Sequence, residues 1–173
     1  ADHVADRVAA RLSRRSLRSG HRLRCDDPRD DGNAAPELFL LSARDEAGLA
    51  RYAARVAAFL SATPDGTGDA LRDIAWTSRV GRTALPVRLA VLATTTAELR
   101  DRLARWAAAQ SSAASSGLAG TLRASGVEDL LVGRVVDAGA GALIPGESGQ
   151  AFLGELIDRE DWRTLARLWV AGA

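Results

Sequence analysis

The sequence is poor in the side chains that most often carry chemistry. Its 173 residues contain no lysine, no methionine, two histidines and one cysteine. Cys25 cannot form an internal disulfide, and it has no constellation of His, Asp or Glu around it with the spacing of a metal site. His3 and His21 both lie in the N-terminal tail, where a nucleophile–histidine pair on rigid elements is hard to assemble. We therefore predict no catalytic, cofactor-binding or metal-binding residue.

Long hydrophobic runs are absent too. No apolar stretch approaches the roughly 18 residues that span a bilayer, and the chain does not open with the pattern of a secretory signal. Hydrophobic residues make up 47% and charged residues 26%, as in a globular protein. These features favour a cytoplasmic protein. Because the sequence does not begin with methionine, we expect a piece of a longer chain.

The charge is local rather than global. All 23 basic side chains are arginine and the net charge is +1, yet residues 1–24 carry seven arginines against two aspartates. The sign then reverses at Asp26, Asp27, Asp30 and Asp31. Abundant Arg without Lys is typical of GC-rich coding, so we interpret these blocks as a solvated linker. The alternative, a nucleic-acid-binding tail, would need a strongly basic domain, which residues 36–173 do not supply.

The N-terminal half alternates between helix and strand patterns. Residues 1–18 form a short amphipathic pattern, residues 20–36 have no period, and the folded domain is predicted to begin near Pro36. Leu38–Leu41 predicts a buried strand, followed by a helix whose start is set by Ser42, Asp45 and Glu46. The apolar stripe of this helix is Leu49, Tyr52, Ala53, Val56, Phe59 and Leu60. A second helix, capped by Asp69, would bury Leu71, Ile74, Ala75 and Ser78 on one face and end at Gly81.

The next strand and helix carry clear local signals. Between Leu85 and Ala93 the side chains alternate with a period of two, which predicts a strand. Thr95 and Glu98 are spaced as a capping box for a helix that buries Leu99, Leu103 and Trp106. The Ala- and Ser-rich residues 107–116 have no apolar period and indicate a flexible connection.

The C-terminal part predicts one strand and two helices. Leu130–Val136 is a third strand interrupted by Gly133, and residues 138–149 form a loop of small residues. Phe152, Leu153, Leu156 and Ile157 mark one helix, and Leu165, Leu168 and Trp169 the last. We divide the chain into an upstream helix with a linker (1–35), an α/β subdomain (36–110) and a C-terminal strand with a helical extension (111–173).

The motifs favour structure over chemistry. The segment PGESGQ at 145–150 lacks the spacing of a nucleophile elbow, and we interpret it as a turn before a helix beginning at Gln150. The paired carboxylates stand at predicted helix ends and solvent-facing turns. Trp76, Trp106 and Trp162 are predicted to pack in the core. Trp169, with Leu168 and Val170, is predicted to be partly exposed and to contact a partner.

Five segments in order resemble a known family. They are LFLLSAR at 38–44, LARYAARVAAFL at 49–60, DIAWTSRVGR at 73–82, RLAVLATT at 88–95 and ELRDRLARW at 98–106. Together they resemble the ketosynthase-flanking linker of modular type I polyketide synthases. The ending at 149–173 is similar to the extension found where the acyltransferase acts in trans. The start at 1–12 looks like the last helix of an acyl carrier protein, as before the domains of unknown function in leinamycin-type assembly lines.

The resemblance implies a fold and a role. The fold is an α/β domain of the α+β type, a three-stranded antiparallel sheet with packed helices and a C-terminal helical extension. The role is a non-catalytic scaffold that spaces neighbouring polyketide synthase domains or docks a separate acyltransferase, with an acyl carrier protein among its partners and no cofactor, nucleic acid or membrane. The alternative is an enzyme domain that acts on a polyketide intermediate bound to the carrier protein.

Overall fold

A computed structural model describes residues 35–62, 68–80, 83–112, 129–135 and 146–172. Within these ranges the chain forms three strands and five helices. In chain order they are β1 (Glu37–Ala43), α1 (Glu46–Ala62), α2 (Gly68–Val80), β2 (Val87–Ala93), α3 (Thr96–Ser112), β3 (Leu130–Arg134), α4 (Glu147–Asp158) and α5 (Trp162–Val170). This arrangement confirms the predicted α/β fold class.

The strands form an antiparallel sheet in the order β1-β2-β3. Phe39 pairs with Val91 between β1 and β2, and Leu89 pairs with Val132 between β2 and β3. All seven residues of the central strand β2 are buried. Because successive side chains of a strand point to opposite faces, both faces of the sheet must be covered, and the domain has three layers.

Helices α1 and α3 cover the first face. Their apolar side chains pack with Phe39, Leu89 and Val91 in one core cluster, where Trp106 is completely buried. The Asp45 carboxylate caps α1 by accepting a hydrogen bond of 2.6 Å from the Gly48 backbone N–H. The apolar stripes that predicted α1 and α3 are thus the faces that these helices bury.

Helices α4 and α5 cover the second face. Leu38, Ala90 and Leu92 of the sheet pack with Leu153, Leu156, Ile157, Leu165 and Ala166 in a separate core cluster. The C-terminal extension is thus packed on the sheet, and it buries the strand residues that point away from α1 and α3.

Helix α2 lies beside the exposed edge of β1. The Leu40 backbone N–H donates to Ser78 Oγ at 3.1 Å, and the Glu37 carboxylate pairs with Arg72 and Arg79. An edge strand with free N–H groups is a template for unwanted pairing. Ser78 and the two arginines satisfy polar groups on this edge.

Several details differ from the sequence-based predictions. Phe59 is 64% exposed and Trp76 is 36% exposed, so neither lies in the core. Residues 107–112 continue α3 instead of forming a flexible connection. Helix α4 begins at Glu147, three residues before the predicted start. The upstream helix, Cys25, both histidines and Gly81 lie outside the described residues, and the proposed division into three regions stays a prediction.

Candidate functional site

Helix α5 carries the three residues predicted to contact a partner. Leu168, Trp169 and Val170 are half-buried and pack against the core cluster of the second face. The helix starts at an N-cap, Asp161, whose carboxylate accepts a 3.0 Å hydrogen bond from the Thr164 backbone N–H. Hydrogen bonds from Thr164 lower the pKa of Asp161, so the cap stays ionised at neutral pH.

Arg88 fixes the C-terminal end of α5. It is a buried side chain of β2 that donates to the Trp169 carbonyl oxygen at 2.6 Å and to the Leu85 carbonyl at 3.3 Å. Its guanidinium lies 5.2 Å from the centroid of the Trp169 ring, within the range of a cation–π contact. Burial lowers the pKa of Arg88, but arginine remains charged at physiological pH. A cation at the last carbonyls of a helix also complements its dipole.

Gly133 permits this close approach. A Cβ built on Gly133 would lie 2.3 Å from the Val170 carbonyl oxygen and 3.1 Å from the Val170 Cβ. Only a residue without a side chain allows the backbone of α5 to sit against β3 at this distance. Gly133 was expected to interrupt the strand; β3 instead continues through it.

Arg79 fixes the other end of α5. Its guanidinium lies 5.2 Å from the centroid of the Trp162 ring and its Nη2 is 3.3 Å from the Glu37 carboxylate. Burial lowers the pKa of Arg79, and the Glu37 charge opposes this effect. The half-buried Trp162 is thus packed, as predicted, and Arg79 connects it to α2 and β1.

Asp129 joins the two helical layers at one end of the sheet. Its carboxylate pairs with Arg163 of α5 and lies 3.6 Å from Arg102 of α3. Arg102 also pairs with Glu98 and donates to the Leu92 carbonyl. Ionic contacts therefore run from one layer through the end of the sheet to the other.

The predicted capping box on α3 forms in a modified way. Thr95 Oγ1 accepts from the Glu98 N–H at 3.1 Å, while the Glu98 carboxylate accepts from the Thr94 N–H at 2.7 Å and the Thr94 hydroxyl at 2.9 Å. Burial acts to raise the pKa of Glu98, but the Thr94 hydrogen bonds, Arg102 and Thr95 together lower it.

An open groove runs along the outer surface of α1. It has a volume of about 730 Å³ and is bordered by three arginines, Arg44, Arg51 and Arg55, and by an apolar strip that ends at Phe59. The arginines are exposed. Sequence reasoning missed this groove, although Arg51, Arg55 and Phe59 recur every fourth residue and so share one helical face.

The described part of the chain has no cluster of side chains that could bind a metal. No three His, Cys, Asp or Glu side chains there lie close enough together to hold a metal ion. Among the same residues, no helix is long and apolar enough to cross a membrane. What the described side chains do form is a set of hydrogen-bonded and ionic contacts that join helices to the sheet.

Comparisons with known proteins agree with this architecture. Residues 40–110 match a family described as the RhiE-like KS-MAT linker domain. The chain is 29% identical over 137 residues to polyketide synthase PksN of Bacillus subtilis (strain 168), which is 79% of this chain and 2% of that protein.

Among solved structures, the chain is similar to ketosynthases of polyketide synthases. The ketosynthase from module 1 of the bacillaene synthase of Bacillus amyloliquefaciens FZB42 aligns with a TM-score of 0.63 and 26% identity, over 82% of this chain and 22% of that one. The ketosynthase from module 6 of the bacillaene synthase of Bacillus subtilis 168 aligns with a TM-score of 0.60 and 25% identity, over 79% and 22%.

The fold and the family match thus point to similarity with a linker domain. Residues 40–110 are similar to the linker domains of that family, and this similarity supports the resemblance inferred from the sequence. The chain spans 2% of the curated relative and 22% of each of the two ketosynthase chains, so it corresponds to a small part of each.

Proposed function

We propose that this chain is a non-catalytic scaffold domain of a trans-acyltransferase polyketide synthase. It holds neighbouring domains at a fixed separation, or it docks a separate acyltransferase. The observation that carries the proposal is the match of residues 40–110 to the KS-MAT linker family. We infer a ketosynthase, an acyltransferase and an acyl carrier protein as its partners, and the cytoplasm as its location.

The internal packing supports a spacing role. A spacer must keep its two attachment surfaces at a constant distance, and this requires that its layers do not move independently. Arg79 and Arg88 hold the two ends of α5, and Asp129 connects α5 to α3. The two core clusters on opposite faces of one sheet make the three layers a single packed unit.

The surface of α5 supports a docking role. Trp169, Leu168 and Val170 are half-buried, so each leaves part of an apolar side chain accessible. Trp is among the residues that most often dominate the energy of protein interfaces. Arg88 holds Trp169 in one position in advance, which lowers the entropy cost of binding.

The test uses the whole chain and two separate measurements. Incubation with acyl-CoA and with acylated carrier protein, followed by intact-protein mass spectrometry, should give no covalent adduct and no turnover. Association with the ketosynthase and the acyltransferase of the same assembly line is measured by size-exclusion chromatography and pull-down, and at least one of them should bind. An adduct at one Ser or Cys, lost when that residue is substituted, would favour the alternative of an enzyme acting on carrier-bound chains.

A further inference from the structure

The groove along α1 brings three exposed arginines together beside an apolar strip. Seven other described arginines pair with a carboxylate, namely Arg72, Arg79, Arg100, Arg102, Arg134, Arg159 and Arg163. In the described part of the chain, no ion pair joins Arg44, Arg51 or Arg55 to a carboxylate. Two acidic residues close to them in sequence have other roles, since Asp45 caps α1 and Glu46 pairs with Arg134.

An apolar strip runs beside these arginines. Tyr52 and Val56 are half-buried at the groove, and Phe59 is 64% exposed at its far end. Fully burying an exposed aromatic side chain gains about 1.5 to 3 kcal/mol, so covering the exposed part of Phe59 gains somewhat less. The groove therefore combines a row of positive charge with a row of apolar surface.

The spacing of the two rows fits a helix. Arg51 and Arg55 stand one turn apart, about 6 Å along α1, and Phe59 stands about 6 Å further. On a second helix, carboxylates at positions i and i+4 have the same separation, and an apolar residue at i+7 or i+8 lies on the same face. The groove from Gly48 to Phe59 is about 16 Å long, enough for three turns of such a helix.

We infer that the α1 groove, formed by Arg44, Arg51, Arg55, Tyr52, Val56 and Phe59, binds an acidic amphipathic helix presented by a separate protein. The inference rests on the proposed docking role and names the chemistry of one partner. An acidic helix supplies both carboxylates for the arginines and an apolar side chain for Phe59. Nucleic acid supplies phosphates without that apolar contact.

The experiment measures binding of a labelled peptide to the full chain by fluorescence anisotropy. The probe is an amphipathic helical peptide with Glu at i and i+4 and Leu at i+7, and a second peptide carries Gln in place of Glu. The Glu peptide should bind, and its affinity should fall as salt rises from 50 to 300 mM, since surface charge contacts are screened. Binding of the Gln peptide should be at least about tenfold weaker.

Substitutions with a matched control locate the site. R44Q/R51Q/R55Q should weaken peptide binding at least about tenfold, and F59A about threefold or more. The control R72Q/R105Q/R159Q removes the same number of positive charges from exposed positions outside the groove. It should leave the affinity for the peptide within about twofold. Thermal melting checks that each variant is folded. Equal loss of affinity in both triple variants would overturn the inference, because only net charge would then matter.

Two further experiments test whether the groove binds something other than a separate acidic helix. If D26N/D27N/D30N/D31N raises peptide affinity more than about threefold, the chain's own acidic segment competes for the groove and the separate-protein inference is wrong. If a single-stranded oligonucleotide binds the groove arginines more tightly than the Glu peptide does, the inference is also wrong. Failure here leaves the scaffold proposal intact, since that proposal is tested by mass spectrometry and by association of the whole chain with the ketosynthase and the acyltransferase.

Discussion

The contact between β3 and the end of α5 makes a quantitative prediction for G133A. The added Cβ would lie 2.3 Å from the Val170 carbonyl oxygen, whereas a carbon–oxygen contact normally closes to about 3.3 Å. The obstacle is backbone, so no side-chain rotation relieves it. Either β3 or α5 must move by about 1 Å.

A movement of that size reaches Arg88. Its hydrogen bond to the Trp169 carbonyl is 2.6 Å long, and lengthening it by about 1 Å exceeds hydrogen-bonding distance. Overpacking of this kind costs about 1 to 3 kcal/mol. For a chain of this length, G133A should therefore lower Tm by about 2 to 12 °C and change the tryptophan fluorescence of α5.

A matched control is available in α1. A Cβ on Gly48 would lie 3.1 Å from the Asp45 carboxylate and 3.6 Å from the Ala43 side chain, and the carboxylate is a flexible group that can adjust. Alanine is also favoured over glycine in a helix by about 0.5 to 1 kcal/mol. G48A should leave Tm unchanged or slightly higher. If G133A melted at the wild-type temperature with unchanged fluorescence, the proposed close packing of α5 on β3 would be refuted.

Three further perturbations test the cap, the sheet edge and the candidate docking face. Because the pKa of Glu98 is lowered in the folded state, its stabilisation is present above the unfolded value of about 4.3 and is lost as pH falls through the folded value. E98Q should thus cost about 0.5 to 1 kcal/mol in urea unfolding at pH 7 and much less at pH 3, and an equal cost at both would contradict the charge argument. S78A removes the acceptor of the Leu40 N–H and should cost about 1 to 2 kcal/mol, whereas S61A, which removes only a helix-surface hydroxyl, should change stability by less than about 0.5 kcal/mol. W169A should weaken association with a neighbouring synthase domain while costing less than the roughly 3 to 5 kcal/mol of a buried aromatic; a larger stability loss with unchanged association would make Trp169 a core residue only.

Local signals were enough wherever neighbours in sequence decide the structure. The alternation between Leu85 and Ala93 predicted β2, and the spacing of Thr95 and Glu98 predicted the start of α3. Both depend on groups within a few residues of each other. The apolar stripes likewise predicted all five helices, because a helix of this length must bury one face.

Periodicity could not decide how wide the buried face of α1 is. The sequence places Phe59 on the same broad stripe as Leu49 and Leu60, but the buried row is Leu49, Ala53, Ala57 and Leu60. Phe59 lies in the neighbouring row and is 64% exposed. The prediction for residues 107–112 was wrong for a different reason. A run of small residues has no apolar period, so the pattern gave no helix signal, even though Ala is the strongest helix former.

The sequence by itself determined the helices and strands, the α/β class of fold and the family resemblance, because each is encoded in short-range patterns or in their order. Only the tertiary structure decided which distant residues meet. Arg88 and Trp169 are 81 positions apart, and Gly133 contacts Val170 only because β3 is the neighbour of β2. The importance of the groove arginines likewise depends on the tertiary structure, which places them beside the apolar strip of Tyr52, Val56 and Phe59. Electrostatic and packing contacts depend on distances of a few ångströms in space. The number of residues between two positions does not set that distance, and only the folded sheet brings them together.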